Sequence, residues 1–260
     1  MKLSIRSWAA CVALVSVLGL GGCAAPPTTT YTNGAGQEVT VNWKDYPLHA
    51  YSLPGDLRQA PVKEEGGVVS ARILGQIRAA LTKEFDFAWE STGEPGWQPD
   101  LGNGYGGQAM TTTYNSVEWS STTSPASTAQ WQKIVRVISR ITTAHGLGPV
   151  TLTHDKDTFK NDAEWQKDLV EQYGTADPQK LWWWDGTAYS GSQWLSVYLV
   201  NVDRDTTGRA AKEHQESHFP AHSVSISYGV TTVRSADLAA FEKALEPFMG
   251  LTPPEPTTSD

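Results

Sequence analysis

Only two cysteines occur in 260 residues, and neither lies where it could staple a folded domain. A disulfide framework is therefore excluded, and stability has to come from a buried core, which a chain of this length can build. Long apolar runs are also missing. The longest, residues 8–20, falls short of the roughly 20 residues that a membrane-spanning helix needs. Basic residues are outnumbered, 20 Lys and Arg against 28 Asp and Glu, for a net charge of −8. That balance argues against nucleic acid as a partner and against electrostatic docking on anionic lipid headgroups. No G-x-S-x-G elbow and no S-x-x-K motif is present to mark a nucleophilic hydrolase.

What is present begins with an export signal. Lys2 and Arg6 precede the apolar residues 8–20, and Leu20-Gly21-Gly22-Cys23 follows. The apolar run suits the roughly 7–15-residue h-region of a signal peptide. Small Gly21 and Gly22 admit a peptidase at the bond before Cys23, whose thiol can take a diacylglycerol. Residues 1–22 thus read as a lipoprotein signal peptide and Cys23 as the lipidation site. The expected location is the extracytoplasmic face of the cell membrane, with the membrane itself a partner through that lipid. Cleavage removes Lys2, Arg6 and no acid, taking the net charge from −8 to −10.

Residues 24–36, rich in Ala, Pro, Thr and Gly, read as a flexible tether, and residues 252–260 as a disordered tail. Residues 37–251 between them form one domain. Val39, Val41 and Trp43 alternate as a strand, and Val69, Ile73, Ile77 and Leu81 stand four apart on one helical face. Phe85, Phe87 and Trp89 alternate in the next strand, and Met110, Thr112 and Tyr114 in another. A helix over residues 125–145, capped by Ser124, carries Trp131, Ile134, Val135, Ile138 and Ile141. A short strand over residues 149–153 precedes a helix marked by Trp165, Leu169 and Tyr173, which Gly174 ends. Strands over residues 181–185 and 194–202 pair as a hairpin across residues 186–191. Val224, Ile226, Tyr228 and Val230 form the last strand, and Leu238, Phe241, Leu245 and Phe248 the last helix. Strands adjacent in sequence point to an α+β fold, a largely antiparallel sheet packed with about four helices.

Gly102-Asn103-Gly104-Tyr105-Gly106-Gly107 matches G-x-G-x-x-G, but a strand follows it where a dinucleotide site needs a helix N-terminus. No cofactor is expected. His214 and His218 stand four apart, as zinc ligands on a helix do, with His222 beyond them, although no Glu directly follows the first. Asp203-Arg204-Asp205-Thr206-Thr207-Gly208 begins like a calcium loop but has His214 where the closing Glu belongs. In a strand, Trp183 faces away from Trp182 and Trp184, so one face of a sheet carries tryptophan that helices have to cover or leave exposed. Trp97 and Tyr105 fall in the Gly- and Pro-rich residues 91–107, outside any packing period. Trp97, Tyr105 and Trp183 are accordingly the expected ligand-binding residues, suited to an envelope glycan, a peptide or a protein partner.

The lipobox Leu20-Gly21-Gly22-Cys23, the Thr28-Thr29-Thr30 tether and the Pro253-Pro254-Glu255-Pro256 tail together resemble surface lipoproteins of actinobacteria, of the LppA-like family. The resemblance implies an anchored extracytoplasmic domain and carries over no catalytic residue. The leading expectation is a lipid-anchored, non-enzymatic envelope protein that binds through aromatic surface. The alternatives are a metal-dependent hydrolase using His214 and His218, or the solute-binding subunit of a transporter.

Overall fold

The computed structural model describes residues 25–99 and 102–257, so the expected signal peptide, Cys11 and Cys23 lie outside the described residues. β-Branched threonines open the fold: β1 (Thr28–Thr32) pairs antiparallel with β2 (Glu38–Asn42). Asn33 shapes the turn between them, its side-chain oxygen accepting from the backbone of Ala35 and Gln37. After α1 (Pro54–Arg58), α2 (Lys63–Phe85) buries Ile73, Ile77 and Leu81 along one face. Four short strands follow in two groups, β3 (Trp89–Thr92) and β4 (Gly96–Pro99), then β5 (Thr112–Asn115) and β6 (Glu118–Ser121). Next comes α3 (Thr128–Ala144), capped by Ser127, whose hydroxyl accepts from the Gln130 amide. The cap lies three residues beyond the expected Ser124, because residues 122–126 stay irregular and Pro125 gives its carbonyl to the Trp131 indole.

The second half adds β7 (Thr151–Leu152), α4 (Asp157–Asn161), α5 (Ala163–Tyr173), β8 (Trp183–Ser190), β9 (Gln193–Asn201), α6 (Arg209–Ser217), β10 (His222–Thr232) and α7 (Leu238–Leu245). The β8–β9 hairpin turns at Gly191 and Ser192, later than expected. Gly191 supplies the left-handed φ of 58° that the turn requires. Gly186 stays inside β8 because β7 crosses there, where a Cβ would meet the Thr151 carbonyl oxygen at 2.9 Å.

Apart from the β1–β2 hairpin, the strands join in one eight-stranded antiparallel sheet, ordered β3-β6-β10-β9-β8-β7, with β4-β5 also attached to β10. β9 covers one edge of β10, while β5 and β6 share the other. At the break between them the Ser116 hydroxyl accepts from the Tyr228 amide, so the long strand keeps its hydrogen bonding. One sheet face is fully apolar: Leu195, Val197 and Leu199 of β9 and Val224, Ile226, Tyr228 and Val230 of β10 pack under α2 and α3. The opposite face of β10 carries Ser223, Ser225 and Ser227, and among the described residues the helices α5 and α6 lie beside its far end. This is the expected α+β fold.

A second core holds the two ends of the chain, and here the structure departs from the expected organisation. Part of the tether, Thr28–Thr32, is a strand, because Tyr31 and Val39 have an aromatic cluster to cover. That cluster joins Trp43, Tyr46, Tyr105 and Phe248 at ring-centroid distances of 5.1–6.3 Å. The tail is packed as far as Thr257: the Tyr105 hydroxyl donates to the Pro254 carbonyl at 2.8 Å, and the Thr257 amide to that of Gly104. Tyr105 is completely buried, which corrects its expected surface role. Asn103 is the reason its glycine-rich loop can be buried. Its side-chain NH2 reaches the carbonyls of Trp43, Lys44 and Tyr46, and its oxygen accepts from the amides of Tyr105 and Gly107. Tyr105→Phe removes only the bond to Pro254 and should cost about 1 kcal/mol. Urea unfolding measures it, and an unchanged midpoint would mean the tail contributes nothing to the fold.

Candidate ligand-binding groove

The half-covered sheet face leaves an open groove of about 800 Å³ between the strands and α5–α6. That is within the range of small-molecule sites. Each wall has a local cause. Asp162 caps α5 by accepting from the Trp165 amide, and left-handed Gly174 ends the helix, which turns Trp165 and Tyr173 toward the strands. The start of α6 is fixed by Asp205, whose carboxylate accepts from the Ala210 amide at 2.8 Å and from the amide and hydroxyl of Thr207. Burial pushes the Asp205 carboxyl up, but those bonds outweigh it and hold its pKa below the ordinary value. The apparent calcium loop is thus a helix-entry turn, with Asp203 engaged by His222 Nε2 at 3.0 Å.

Aromatic rings make the apolar part of the groove. Trp182 and Trp183 lie 4.8 Å apart, each 5.6 Å from Tyr173, while His214 stands edge-on to Trp182 at 5.1 Å. Phe219 forms the rim and is 65% exposed. Tyr198 rises from β9, its phenol pushed up to about 12 by burial, with Asp185 and Tyr173 adding to the shift. The polar part comes from β6 and β10. Ser120 and Ser225 share a hydrogen bond of 2.7 Å, and Ser120 donates to Glu118 at 3.1 Å. Tyr173 donates to Glu213, which also takes the Arg209 guanidinium at 2.6 Å. The Arg209 bond holds the Glu213 carboxyl below the ordinary range. The Trp182 indole N–H is buried beside the groove with no hydrogen-bond partner among the described residues.

The expected site residues do not converge. Trp183 lines this groove, whereas Trp97 is a half-buried strand residue, 5.1 Å from Tyr114, that lines a different hollow with Lys63 and Arg234. Tyr105 lines neither, for the packing reason given above. His214 belongs to the groove, but its Nδ1 faces the Pro220 carbonyl at 2.9 Å and therefore carries the proton. His218 has left the helical face: it terminates α6 with a left-handed φ of 57°. Among the described residues no group of three or more His, Cys, Asp or Glu is arranged to hold a metal ion. Nor is any described helix long and apolar enough to cross a membrane.

Sequence reasoning missed Trp165, Tyr173, Tyr198 and Phe219 as groove residues. The available signal was the run Ser223, Ser225, Ser227 alternating with large apolar residues, the mark of a strand with one polar face. No protein family, curated protein or solved structure matches the chain.

Proposed function

We propose that this is a lipid-anchored protein of the extracytoplasmic membrane face that binds a ligand, without transforming it, in the groove between the open sheet face and α5–α6. The observation that carries the reading is the groove's aromatic lining, Trp182, Trp183, Tyr173 and Phe219 above a polar floor. Such a lining offers flat apolar contact with a few directional hydrogen bonds, the usual composition of a binding site. The anchor rests on the Leu20–Cys23 lipobox. A hydrolase built on His214 and His218 has less support, since the two side chains no longer share a helical face. A transporter's solute-binding subunit normally closes two lobes around its ligand, and a groove on one sheet favours it less.

Two measurements test the two halves. Cys23→Ser should move the protein from the membrane to the soluble fraction, because no thiol remains to be acylated. A membrane-bound, unprocessed variant would sink the anchor. For the groove, full-length chain purified from its membranes in mild detergent should release small molecules on denaturation that mass spectrometry detects. Phe219→Ala, at an exposed rim position, should lose most of them. Identical profiles from the two proteins would remove the groove from the argument.

A further inference from the structure

The same groove restricts what its ligand can be, and the inference rests on the binding reading above. We infer that the ligand is an uncharged saccharide chain. The charge of the lining comes first. The charged side chains facing the groove are carboxylates, Glu118 and Glu213, with no Lys or Arg among the described lining residues. Glu213 is neutralised by Arg209, whereas among the described residues no basic side chain pairs with Glu118. An anionic ligand would meet an unpaired carboxylate in a protein already carrying a net charge of −8.

The second restriction is positional. The groove lies over the face of the sheet, where the amides and carbonyls of β8, β9 and β10 already serve the ladder. A peptide adding itself as a strand needs a free edge and main-chain partners, and this face supplies neither. A pyranose chain needs something else: flat apolar faces for its C–H surfaces and side-chain groups for its hydroxyls. Half-buried Trp183 and Tyr173 supply the faces, with the buried Trp182 ring packed behind them. Ser223, Ser225 and Ser120 line the floor with hydroxyls, and the Glu118 carboxylate can accept from two neighbouring sugar hydroxyls.

The test uses the full chain in detergent, followed by tryptophan fluorescence and titration calorimetry. Cellotetraose and chitotetraose represent neutral saccharides, tetragalacturonate an anionic one, and tetraalanine a peptide. At least one neutral tetrasaccharide should bind ten times or more tightly than tetragalacturonate. Trp183→Ala should weaken that binding at least tenfold, and Glu118→Gln, an exposed substitution that leaves packing alone, by about tenfold. Tetragalacturonate binding as tightly as the neutral sugars would overturn the inference. So would tetraalanine binding that depends on Trp183 while neither sugar binds, a result that would leave the groove itself standing as a binding site. If no probe gives a signal sensitive to Trp183, the saccharide inference is lost, and the small-molecule profile of Phe219→Ala then decides the groove separately.

Discussion

Asn103→Ala should destabilise the protein by about 4 kcal/mol, because each buried polar group left without a partner costs about 1–3 kcal/mol. The side chain is completely buried and is the common partner of two amides and three carbonyls. Alanine offers neither donor nor acceptor to that set. Some of the carbonyls keep a second partner, as Trp43 does through the Tyr46 amide, which is why the expected loss is smaller than five separate penalties. Asn103→Asp separates the two halves of the role. It keeps the acceptor for Tyr105 and Gly107 but sets a carboxylate against three carbonyl oxygens, so it should not rescue stability. Urea unfolding read at constant m measures both variants. A loss below about 1 kcal/mol for alanine would show that the loop is held by its neighbouring rings and not by Asn103.

Trp131→Ala should cost about 3–5 kcal/mol, and it strikes the other core. The indole is fully buried under the sheet, edge-on to Trp184 at 5.3 Å, with its N–H donated to Pro125 at 2.6 Å. The Arg204 guanidinium lies over it at 4.2 Å and donates an N–H to the Thr128 hydroxyl at the start of α3. Removing the ring therefore opens a cavity and also strips the cover from a cation whose burial already lowers its pKa. Trp97→Ala, at a half-buried strand position against α2, should lose less than half as much. Equal losses for the two variants in thermal or urea unfolding would contradict the assignment of Trp131 to the central core.

The elements that were legible in the sequence are those whose own side chains bury a regular stripe. Ile73, Ile77 and Leu81 of α2 and Val224 to Val230 of β10 repeat at the helical and strand periods because each packs on the same core. The short strands hid for the opposite reason. Glu118–Ser121 mixes polar and apolar residues because Trp119 packs toward the core while Glu118 and Ser120 face the groove, too brief a stretch to establish a period. The chain ends misled through composition. Threonine-rich and proline-rich segments suggest loose chain, yet β-branched threonine suits a strand, and proline keeps a carbonyl that Tyr105 can use. The groove was legible in part. Strand alternation set Trp183 apart from Trp182, but β8 begins only at Trp183, so Trp182 lies beside it at the groove, and the other companions belong to α5, β9 and the bend after α6, which only the fold brings together.

Under the proposed lipidation of Cys23, the hairpin at the start of the domain also limits how far the groove can stand from its anchor. A tether over residues 24–36 would let the domain roam about 45 Å from a lipidated Cys23. Pro27 is already committed, however, since its carbonyl takes the Trp43 amide at 2.9 Å, and the Trp43 indole holds Thr29 as well. Four peptide units would then separate the proposed lipid from the folded body, a reach of about 14 Å. On so short a leash a domain anchored as proposed would turn about a pivot at the bilayer surface and would not patrol the space above it. Its catchment would then be a thin layer next to the headgroups, and a ligand built farther out in the envelope would have to be carried down to it.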